Sequence, residues 1–354
     1  MGSEQRKAAQ WNSVGLEGKL IMDQLAYQGW SQTASADNPV TDSAAGGTAI
    51  SSGFHTNNGM IAMSPELKDL KTILEYAQER GMATGLLTNV QISHATPASF
   101  AAHVPHREQM TDIAVQLLDH QINVLFGGGE DEFLPTSSTG CYAEPGERSD
   151  GRNLIMQAQA AGYQTICTSA ELAALDSHEN NYVLGLFADE EMPRPVSPSL
   201  AEMTQTAIAI LARDPQGFFL MVEGGQIDWA SHANDAAHAI QDTLDFDAAV
   251  AIGVNYQQNN ENTLLIVTAD HETGGMNAHI DPLGSSDEDG PFSMPGGGSF
   301  YVTWTTSGHT GVNIPISTQG EGASALQGVF ENTQTFWAMA NLIFPHTYLP
   351  VLVR

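Results

Sequence analysis

The chain has 354 residues, 42% of them apolar, which is enough for one large α/β domain with a substantial core. It carries 41 acidic and 12 basic residues, a formal net charge of −29. The sequence has no basic stripe, so we expect it to bind neither nucleic acid nor an anionic membrane. It has no run of about 18 apolar residues, so we expect no membrane span. The acidic excess predicts a surface adapted to high salt; the alternative is an ordinary acidic secreted protein.

The N-terminal part of the chain is predicted to be mostly helical. Residues 12–29 show helical apolar spacing that ends at a glycine, and a short strand and loop then lead to a helix that begins at Asp42-Ser43. Residues 65–80 predict an amphipathic helix with a proline in its first turn and a glycine just past its end. The first ten residues contain no apolar segment, so the sequence as written predicts no signal peptide.

From residue 83 onward, predicted strands and helices alternate. This alternation predicts an α/β fold, a mainly parallel doubly wound sheet with helices on both faces, formed by a single domain over residues 1–354. The predicted strands are residues 83–90, 124–126, 182–187, 218–222 and 263–268, and the predicted helices are residues 109–118, 200–212 and 229–253.

Several segments fall outside this pattern. Residues 134–152 and 281–299 are rich in loop-forming residues and predict a loop and a surface insertion. Residues 333–354 predict a helix followed by an apolar tail. Cys141 and Cys167 could form one disulfide or remain free thiols, since sequence does not give their distance.

Ser43 stands in the stretch VTDSAAGGTA, residues 40–49, where an acid precedes a serine and small residues follow. A helix that begins here would present unpaired N–H groups and a partial positive charge to an anion such as a phosphoryl group. The hydroxyl of Ser43 could then attack phosphorus if a metal ion lowered its pKa. The simpler interpretation is that Asp42 or Ser43 only caps the helix.

Two predicted strands are followed by residue types that commonly bind metals. The strand at 218–222 runs into Glu223 and is followed by Asp228 and His232, whose spacing of four places them on one helix face. The strand at 263–268 delivers Asp270 and His271 at a turn. Alone, the Asp228–His232 spacing is more often a helix start with a solvated histidine, and the Asp270–His271 pair is as often the polar start of a loop. Together they predict metal binding at the carboxyl end of a sheet.

Further candidate residues follow the strand at 83–90 and lie near the C-terminus. His94 and Thr96 precede a proline, and a threonine hydroxyl with the Glu223 carboxylate would suit a hard ion such as magnesium. Arg107 offers a guanidinium fork for two phosphate oxygens. His309, in a glycine-flanked loop, could complete a zinc site with Asp228 and His232. Considered singly, each is more often a turn or a solvated surface residue.

The segments VTDSAAGGTA, SHATPASFAAHVPHR, VEGGQIDWASH, VTADHETGG and SGHTG, in this order from residue 40 to residue 311, resemble the motif series of the bacterial alkaline phosphatases. The resemblance implies that Ser43 is a nucleophile that forms a phosphoseryl intermediate and that Arg107 clamps the phosphate. It implies two zinc ions and one magnesium ion. Their ligands would be Asp228, His232 and His309 for one zinc, Asp270 and His271 for the other, and Thr96 and Glu223 for magnesium.

The residues around these ligands refine the resemblance. His94 and Trp229 are similar to the pair found in the cold-active and marine branch of the family, where they would act beside the magnesium ion, and Asp42 would support the site next to Ser43. By resemblance we expect a homodimer that is periplasmic or secreted and acts on small phosphate monoesters. The alternatives are a phosphodiesterase or sulfatase of the same superfamily and a non-catalytic acidic metal-binding protein.

One motif of the family is not found. The family begins with an apolar strand ending in Gly-Asp-Gly-Met-Gly, whose aspartate bridges the second zinc and the magnesium, whereas this sequence opens with Met1-Gly2-Ser3, similar to the end of that motif. We therefore expect a chain that starts at Met1 to have a gap in its sheet with unpaired edges, to hold about one zinc firmly and to turn over poorly.

Overall fold

The computed structural model describes residues 1–344, so the apolar tail expected after the last helix lies outside the described residues. The helices are α1 (Ser3–Ser13), α2 (Ser43–Ser52), α3 (Ile73–Glu79), α4 (Ala95–Ala98), α5 (Met110–Asp119), α6 (Leu154–Ala160), α7 (Ser169–Ala174), α8 (Leu200–Leu211), α9 (Gln226–His232), α10 (Ala236–Asn259) and α11 (Gln334–Ile343). The strands are β1 (Tyr27–Gln32), β2 (Ala83–Gln91), β3 (Val124–Gly128), β4 (Gln164–Ile166), β5 (Val183–Leu186), β6 (Phe218–Glu223), β7 (Leu264–Val267), β8 (Glu272–Thr273), β9 (Asn277–His279), β10 (Asp289–Ser293), β11 (Ser299–Thr303), β12 (His309–Thr310), β13 (Ile314–Gly320) and β14 (Gly328–Glu331). Among the described residues no helix carries an apolar stretch long enough to cross a bilayer.

A five-stranded sheet in the order β4-β5-β3-β2-β6 forms the centre of the molecule, and all its pairings are parallel. Its interior strand β2, between β3 and β6, is buried along its whole length. Consecutive residues on that strand pack into different cores: Leu86 packs with α3 and α5, and Leu87 packs with α8. Alternating side chains of one strand thus bury apolar surface on both faces, as the α/β prediction requires.

A second sheet has the order β14-β1-β13-β7 and is mixed. Strand β13 runs antiparallel to both β1 and β7, whereas β1 and β14 are parallel. Strands β10, β11 and β9 form a small antiparallel sheet, and β12 pairs with β8. The last pairing carries His309 to the segment that follows His271, because His309 lies opposite Thr273.

The edge strands β6 and β7 of the two main sheets border a gap, which we call the strand cleft. Within residues 1–344, β6 pairs only with β2 and β7 only with β13. The residues of β6 are all half-buried, in contrast to the fully buried β2. A cavity of about 1360 Å³ fills the cleft and extends to Glu223, Asp270 and Ser43. The candidate chemistry therefore lies at the open end of the cleft.

The prediction of one helix over residues 12–29 is wrong. Helix α1 ends at Ser13, and Gly15 follows with a φ of 76°. Leu20, Met22 and Leu25 are buried by a segment without an α-helix instead, whereas Leu16 is exposed. In this segment the Asp247 carboxylate accepts the backbone N–H groups of Ile21 and Met22. A side chain from distant α10 therefore satisfies the backbone that a helix would have satisfied locally.

Two other helix predictions have wrong boundaries. Residues 65–72 form turns, and α3 begins only after Thr72, which makes a reciprocal capping box with Glu75. The helix predicted over residues 229–253 is two helices, since Asn234 adopts a φ of 54° and Asp235 then caps α10. In both places a polar capping residue starts a new helix inside an apolar pattern that looks continuous.

The predicted insertion at residues 281–299 is only partly irregular. It contains β10 and the first residue of β11, and the two strands pair although the sequence of β10 is mostly polar or loop-forming. Residues 134–152 do form an irregular segment, as expected. Cys141 in that segment is joined to Cys167 by a disulfide, so the open question about the two thiols is answered.

Candidate active site

Ser43 is the first residue of α2, directly after the helix-capping residue Asp42, whose Oδ1 accepts the N–H of Ala45 at 3.0 Å. Ser43 itself is buried, and its Oγ lies 3.0 Å from Nε2 of His271. The hydroxyl therefore points away from the capping interaction and towards the predicted metal ligands. Asp42 takes the structural role, and Ser43 remains available for chemistry.

Arg107 lies beside this helix start. Its Nη1 donates to Oδ2 of Asp42 at 3.1 Å, and its Nη2 lies 3.0 Å from Nε2 of His94. Burial and the adjacent guanidinium lower the pKa of His94 to about 4, so its ring is neutral and can accept this hydrogen bond. The edge of His94 packs against Trp229, with ring centroids 5.8 Å apart. Asp42 and His94 thus hold the fork of Arg107 next to Ser43.

Asp228, His232 and His309, which we call the nitrogen site, converge from α9 and β12. Nδ1 of His232 lies 2.6 Å from the carbonyl of Ser307, and Nδ1 of His309 lies 2.9 Å from the carbonyl of Thr41. Because a carbonyl only accepts, both Nδ1 atoms carry hydrogen, and each neutral ring presents a lone pair on Nε2.

Those two Nε2 atoms are 3.0 Å apart. Two facing lone pairs repel unless a cation or a proton lies between them, and an imidazole oriented through a backbone carbonyl is the usual arrangement in a metal centre. Oδ2 of Asp228 is 3.4 Å from His232 and its Oδ1 is 3.6 Å from His309. The donor set of one carboxylate and two imidazoles therefore fits a zinc ion.

Asp270 and His271 lie where β7 has ended and the chain turns toward β8. Nε2 of His271 is 3.2 Å from Asp270 and Nδ1 is 4.0 Å from Asp228, so His271 lies between the two carboxylates. Its ring also stacks on His309 with centroids 3.5 Å apart. Burial opposes the charge on both residues, but their mutual attraction lowers the pKa of Asp270 and raises the pKa of His271.

Glu223 and its hydroxyl partners, Thr88 and Thr96, form what we call the oxygen site. Strands β2 and β6 are in register with Thr88 opposite Glu223, and Oγ1 of Thr88 donates to the carboxylate at 2.6 Å. Burial raises the pKa of Glu223 to about 7, although hydrogen bonds from Thr88 and Thr96 oppose the rise. A buried carboxylate with two hydroxyl groups fits the hard oxygen ligands that magnesium prefers.

All the predicted residues come together around one end of the strand cleft. The cavity is bordered directly by Ser43, His94, Thr96, Glu223, Asp228, Trp229 and Asp270. The others join through single contacts: Arg107 through His94, His271 through Ser43, and His232 and His309 through Asp228.

The sequence analysis missed two hydroxyl groups of this site. Thr88 bonds Glu223, and Thr273 donates to Asp228 and lies 3.3 Å from Nδ1 of His271. The position of Thr88 depends on the register of β2 against β6, for which the sequence gives no signal. Thr273 stands three residues after Asp270, within the same motif, and that proximity was the available signal.

Comparison with known proteins agrees with this geometry. The sequence profile of the family described as alkaline phosphatase matches residues 4–288. Alkaline phosphatase 3 of Bacillus subtilis is 41% identical over 266 residues, a match that spans 71% of this chain and 54% of that protein's length. Alkaline phosphatase from the Antarctic bacterium TAB5 has a TM-score of 0.81 at 30% identity, covering 97% of this chain and 94% of that one.

A third comparison bears on the branch of the family. The cold-active alkaline phosphatase of a psychrophilic Shewanella species superposes with a TM-score of 0.83 at 30% identity, covering 97% of both chains. The expected resemblance to bacterial and cold-active members is confirmed, as is the expected α/β fold. The chain belongs to the alkaline phosphatase family.

Proposed function

We propose that the protein hydrolyses phosphate monoesters through a phosphoseryl intermediate on Ser43. The observation that carries the proposal is the position of Ser43, at the start of α2, with its Oγ 3.0 Å from His271 and with Arg107 held beside Asp42. A phosphate with free oxygens would be bound by the Arg107 fork and by the N-terminal end of α2. The Ser43 oxygen would then attack phosphorus and the ester oxygen would leave; water would later release phosphate from Ser43.

The cofactors of this proposal are two zinc ions and one magnesium ion. Asp228, His232 and His309 would hold one zinc, Asp270 and His271 the other, and Thr96 and Glu223 the magnesium. When bound, the zinc ions would lower the pKa of the Ser43 hydroxyl and of the attacking water. Support for magnesium also comes from a variant of the TAB5 alkaline phosphatase, which binds magnesium in a site called M3.

The competing functions are separable by substrate. A phosphodiester or a sulfate ester offers fewer charged oxygens to Arg107 than a phosphate monoester does, so the arginine fork favours the monoester. We expect turnover of a chromogenic phosphate monoester to exceed that of the matched diester and sulfate ester by orders of magnitude. Faster turnover of either competitor would reassign the substrate class, and no turnover of any of the three would favour a non-catalytic metal-binding protein.

The strand cleft is part of this proposal. We propose that an extended apolar segment ending in Gly-Asp-Gly fills it in the active enzyme and supplies a carboxylate between Asp270 and Glu223. Two observations support this: the facing edges of β6 and β7 are unpaired within the described residues, and the cavity between them reaches both Asp270 and Glu223. Main-chain hydrogen bonds to both edges would provide the binding energy.

A synthetic apolar peptide that ends in Gly-Asp-Gly-Met-Gly tests the proposal when it is added to the protein. We expect zinc content, magnesium content and turnover to rise, and a peptide with asparagine in place of the aspartate to bind without raising them. If the peptide changes neither metal content nor turnover, the proposal is wrong.

The compartment and the oligomeric state belong to the proposal as well. We propose an exported, periplasmic or secreted homodimer with a surface suited to high salt. The Cys141–Cys167 disulfide supports an oxidising compartment, and the net charge of −29 supports the salt adaptation. The dimer rests on the resemblance alone, and sedimentation of the purified protein tests it.

A further inference from the structure

A second group of metal-binding side chains lies away from the strand cleft. Glu75 on α3, His103 in the segment after α4, and His120 at the end of α5 place one ligand atom each within 4.8 Å of one another. They border an open cavity of about 610 Å³ together with Asp69, Lys71, Gln78 and Glu79. None of these residues contacts the candidate active site through a hydrogen bond in the described part of the chain.

The three side chains are held by contacts that leave their metal-binding atoms directed at one another. Nδ1 of His103 lies 2.8 Å from the carbonyl of Ala62, so this nitrogen carries a hydrogen, and Nε2 faces Glu75, where either a proton or an ion can lie between the two atoms. The backbone of His103 is fixed on both sides by the Gln116 amide, which accepts its N–H at 2.7 Å and donates to its carbonyl at 3.2 Å. An imidazole oriented in this way through a backbone carbonyl is typical of a metal ligand.

Glu75 and His120 have the matching properties. One oxygen of Glu75 accepts the N–H of Thr72 in the capping box, and the other lies 3.4 Å from Nε2 of His103. Among the described residues the ring of His120 makes no hydrogen bond, so its ring nitrogens are available to an ion. The backbone of His120 is fixed, because its carbonyl accepts the Gln78 amide at 2.7 Å.

Distance and charge both suit a transition-metal ion. Two ligands of a tetrahedral zinc, each about 2.0 Å from the ion, stand about 3.3 Å apart, close to the separation observed between Glu75 and His103. The carboxylates of Asp69, Glu75 and Glu79 outnumber the single ammonium of Lys71, which is paired with Glu79. The cavity is therefore negative when both histidines are neutral, and it attracts a cation.

We propose that Glu75, His103 and His120 form a peripheral zinc site, distinct from the metal positions beside Ser43. Two imidazoles and one carboxylate are a known zinc donor set, and the open cavity leaves room for a water molecule as the fourth ligand. The ion would join α3, the His103 segment and the end of α5, which are far apart in sequence. Its role would be to fix these elements together, because no nucleophile or phosphate-binding arginine borders the cavity.

Metal analysis of matched variants tests the site. After equilibration with micromolar zinc and removal of the excess, His120→Asn should hold one zinc fewer per chain than the parent, and so should Glu75→Gln, in which the amide oxygen still accepts the Thr72 N–H. The control is His178→Asn, an exposed histidine in a loop, which should hold as much zinc as the parent. Phosphatase activity of His120→Asn should stay at the parental level, which separates this site from the catalytic metals.

A second measurement does not depend on counting ions. Zinc added to the zinc-depleted parent should slow amide exchange in α3 and at the end of α5, and the same addition should leave these two segments unchanged in His120→Asn. Equal zinc content in the parent, His120→Asn and Glu75→Gln would overturn the proposal. An unchanged exchange pattern in the parent would overturn it as well, and neither result would affect the proposed role of Ser43.

Discussion

Asp228 in the nitrogen site and Glu223 in the oxygen site are both largely buried acids near the carboxyl end of β6, yet their pKa values are shifted in opposite directions. Burial opposes the charge on Asp228, but the neighbouring His232 and His271 outweigh it and lower its pKa. Burial raises the pKa of Glu223 to about 7, because its hydrogen-bond partners are only hydroxyl groups and the carboxylates of Asp270 and Asp228 repel its charge.

The comparison shows that neighbours, more than depth, decide when a buried carboxylate is ready to bind an ion. Asp228 is ionised across the whole physiological range, so the nitrogen site always offers its carboxylate. Glu223 becomes a ligand only above neutral pH. At low pH a proton can therefore neutralise the Glu223 carboxylate of the oxygen site, and at high pH an ion can do so. At the nitrogen site the facing lone pairs of His232 and His309 repel one another once both rings are neutral, and a bound cation removes that repulsion.

Removing Ser43 should have the largest effect and should leave both ion sites in place. Ser43→Ala should lower turnover by roughly 10³-fold or more, because the proposed nucleophile is lost while the proposed metal ligands remain. Zinc and magnesium contents should stay near the parental values. Labelling with radioactive phosphate at low pH, followed by digestion, should place the label on Ser43 in the parent; label on another residue would refute the assignment. Ser324→Ala, at an exposed position, serves as the control.

His309→Asn breaks the nitrogen site selectively. The asparagine amide can still donate to the Thr41 carbonyl, but the lone pair that faces His232 is lost. We expect zinc affinity at this position to fall by about 100-fold and turnover to fall with it. Magnesium affinity at the oxygen site should change little. Competition with a chromogenic chelator measures the zinc affinity, and a parental value in the variant would show that His309 is not a ligand.

The oxygen site should respond to pH. Since the pKa of Glu223 is about 7 and magnesium requires the carboxylate, protons compete with the ion below pH 7. Magnesium affinity should fall about tenfold for each pH unit below 7 and be constant above it. Titration calorimetry from pH 5 to 9 measures this dependence. Glu223→Gln should bind weakly with no such slope, and a slope that persists in the variant would point to another group.

Glu223 also links pH to stability in the absence of ions. Its folded-state pKa lies above the ordinary value of 4.5, so its protonation favours the folded state. That contribution is fully present below pH 4.5 and is lost as pH rises through about 7. The ion-free parent should therefore lose stability over this range relative to Glu223→Gln, as chemical denaturation would show. Magnesium should remove the difference in the parent.

Salt should produce the smallest effect and should act on neither ion site. With a net charge of −29, screening of surface carboxylates should raise the melting temperature by a few degrees between low and molar sodium chloride. Zinc affinity at the nitrogen site should depend only weakly on salt, since the Asp228 carboxylate is mostly shielded from solvent. A melting temperature that is constant or falls with salt would show that the acidic composition is incidental.

The sequence is sufficient to predict much of the fold and to nominate most residues of the site. Strands β2, β3, β5, β6 and β7 are apolar runs between helices, and each is predicted within two residues of its observed ends. Candidate site residues can be found directly after such runs, because the carboxyl ends of parallel strands meet at one edge of the sheet. Asp228, Asp270 and His271 are examples.

The failures share one physical origin, which is that long-range partners decide local structure. The Asp247 carboxylate replaces helix hydrogen bonds at Ile21 and Met22, and pairing with β11 makes a strand of β10, whose sequence resembles a loop. The contact between Thr88 and Glu223 needs the register of β2 on β6. None of these can be derived from apolar spacing alone.

The strand cleft has a consequence for how the molecule moves. Asp228 and His232 follow β6 on one side of the cleft, whereas Asp270, His271 and His309 belong to segments that follow β7 on the other. An ion bound between these residues would therefore also link the two main sheets, which share no strand pairing within residues 1–344. We expect chelation to release a hinge motion centred on the connection through α9 and α10, so that the same ions that serve the chemistry also set the stiffness of the enzyme.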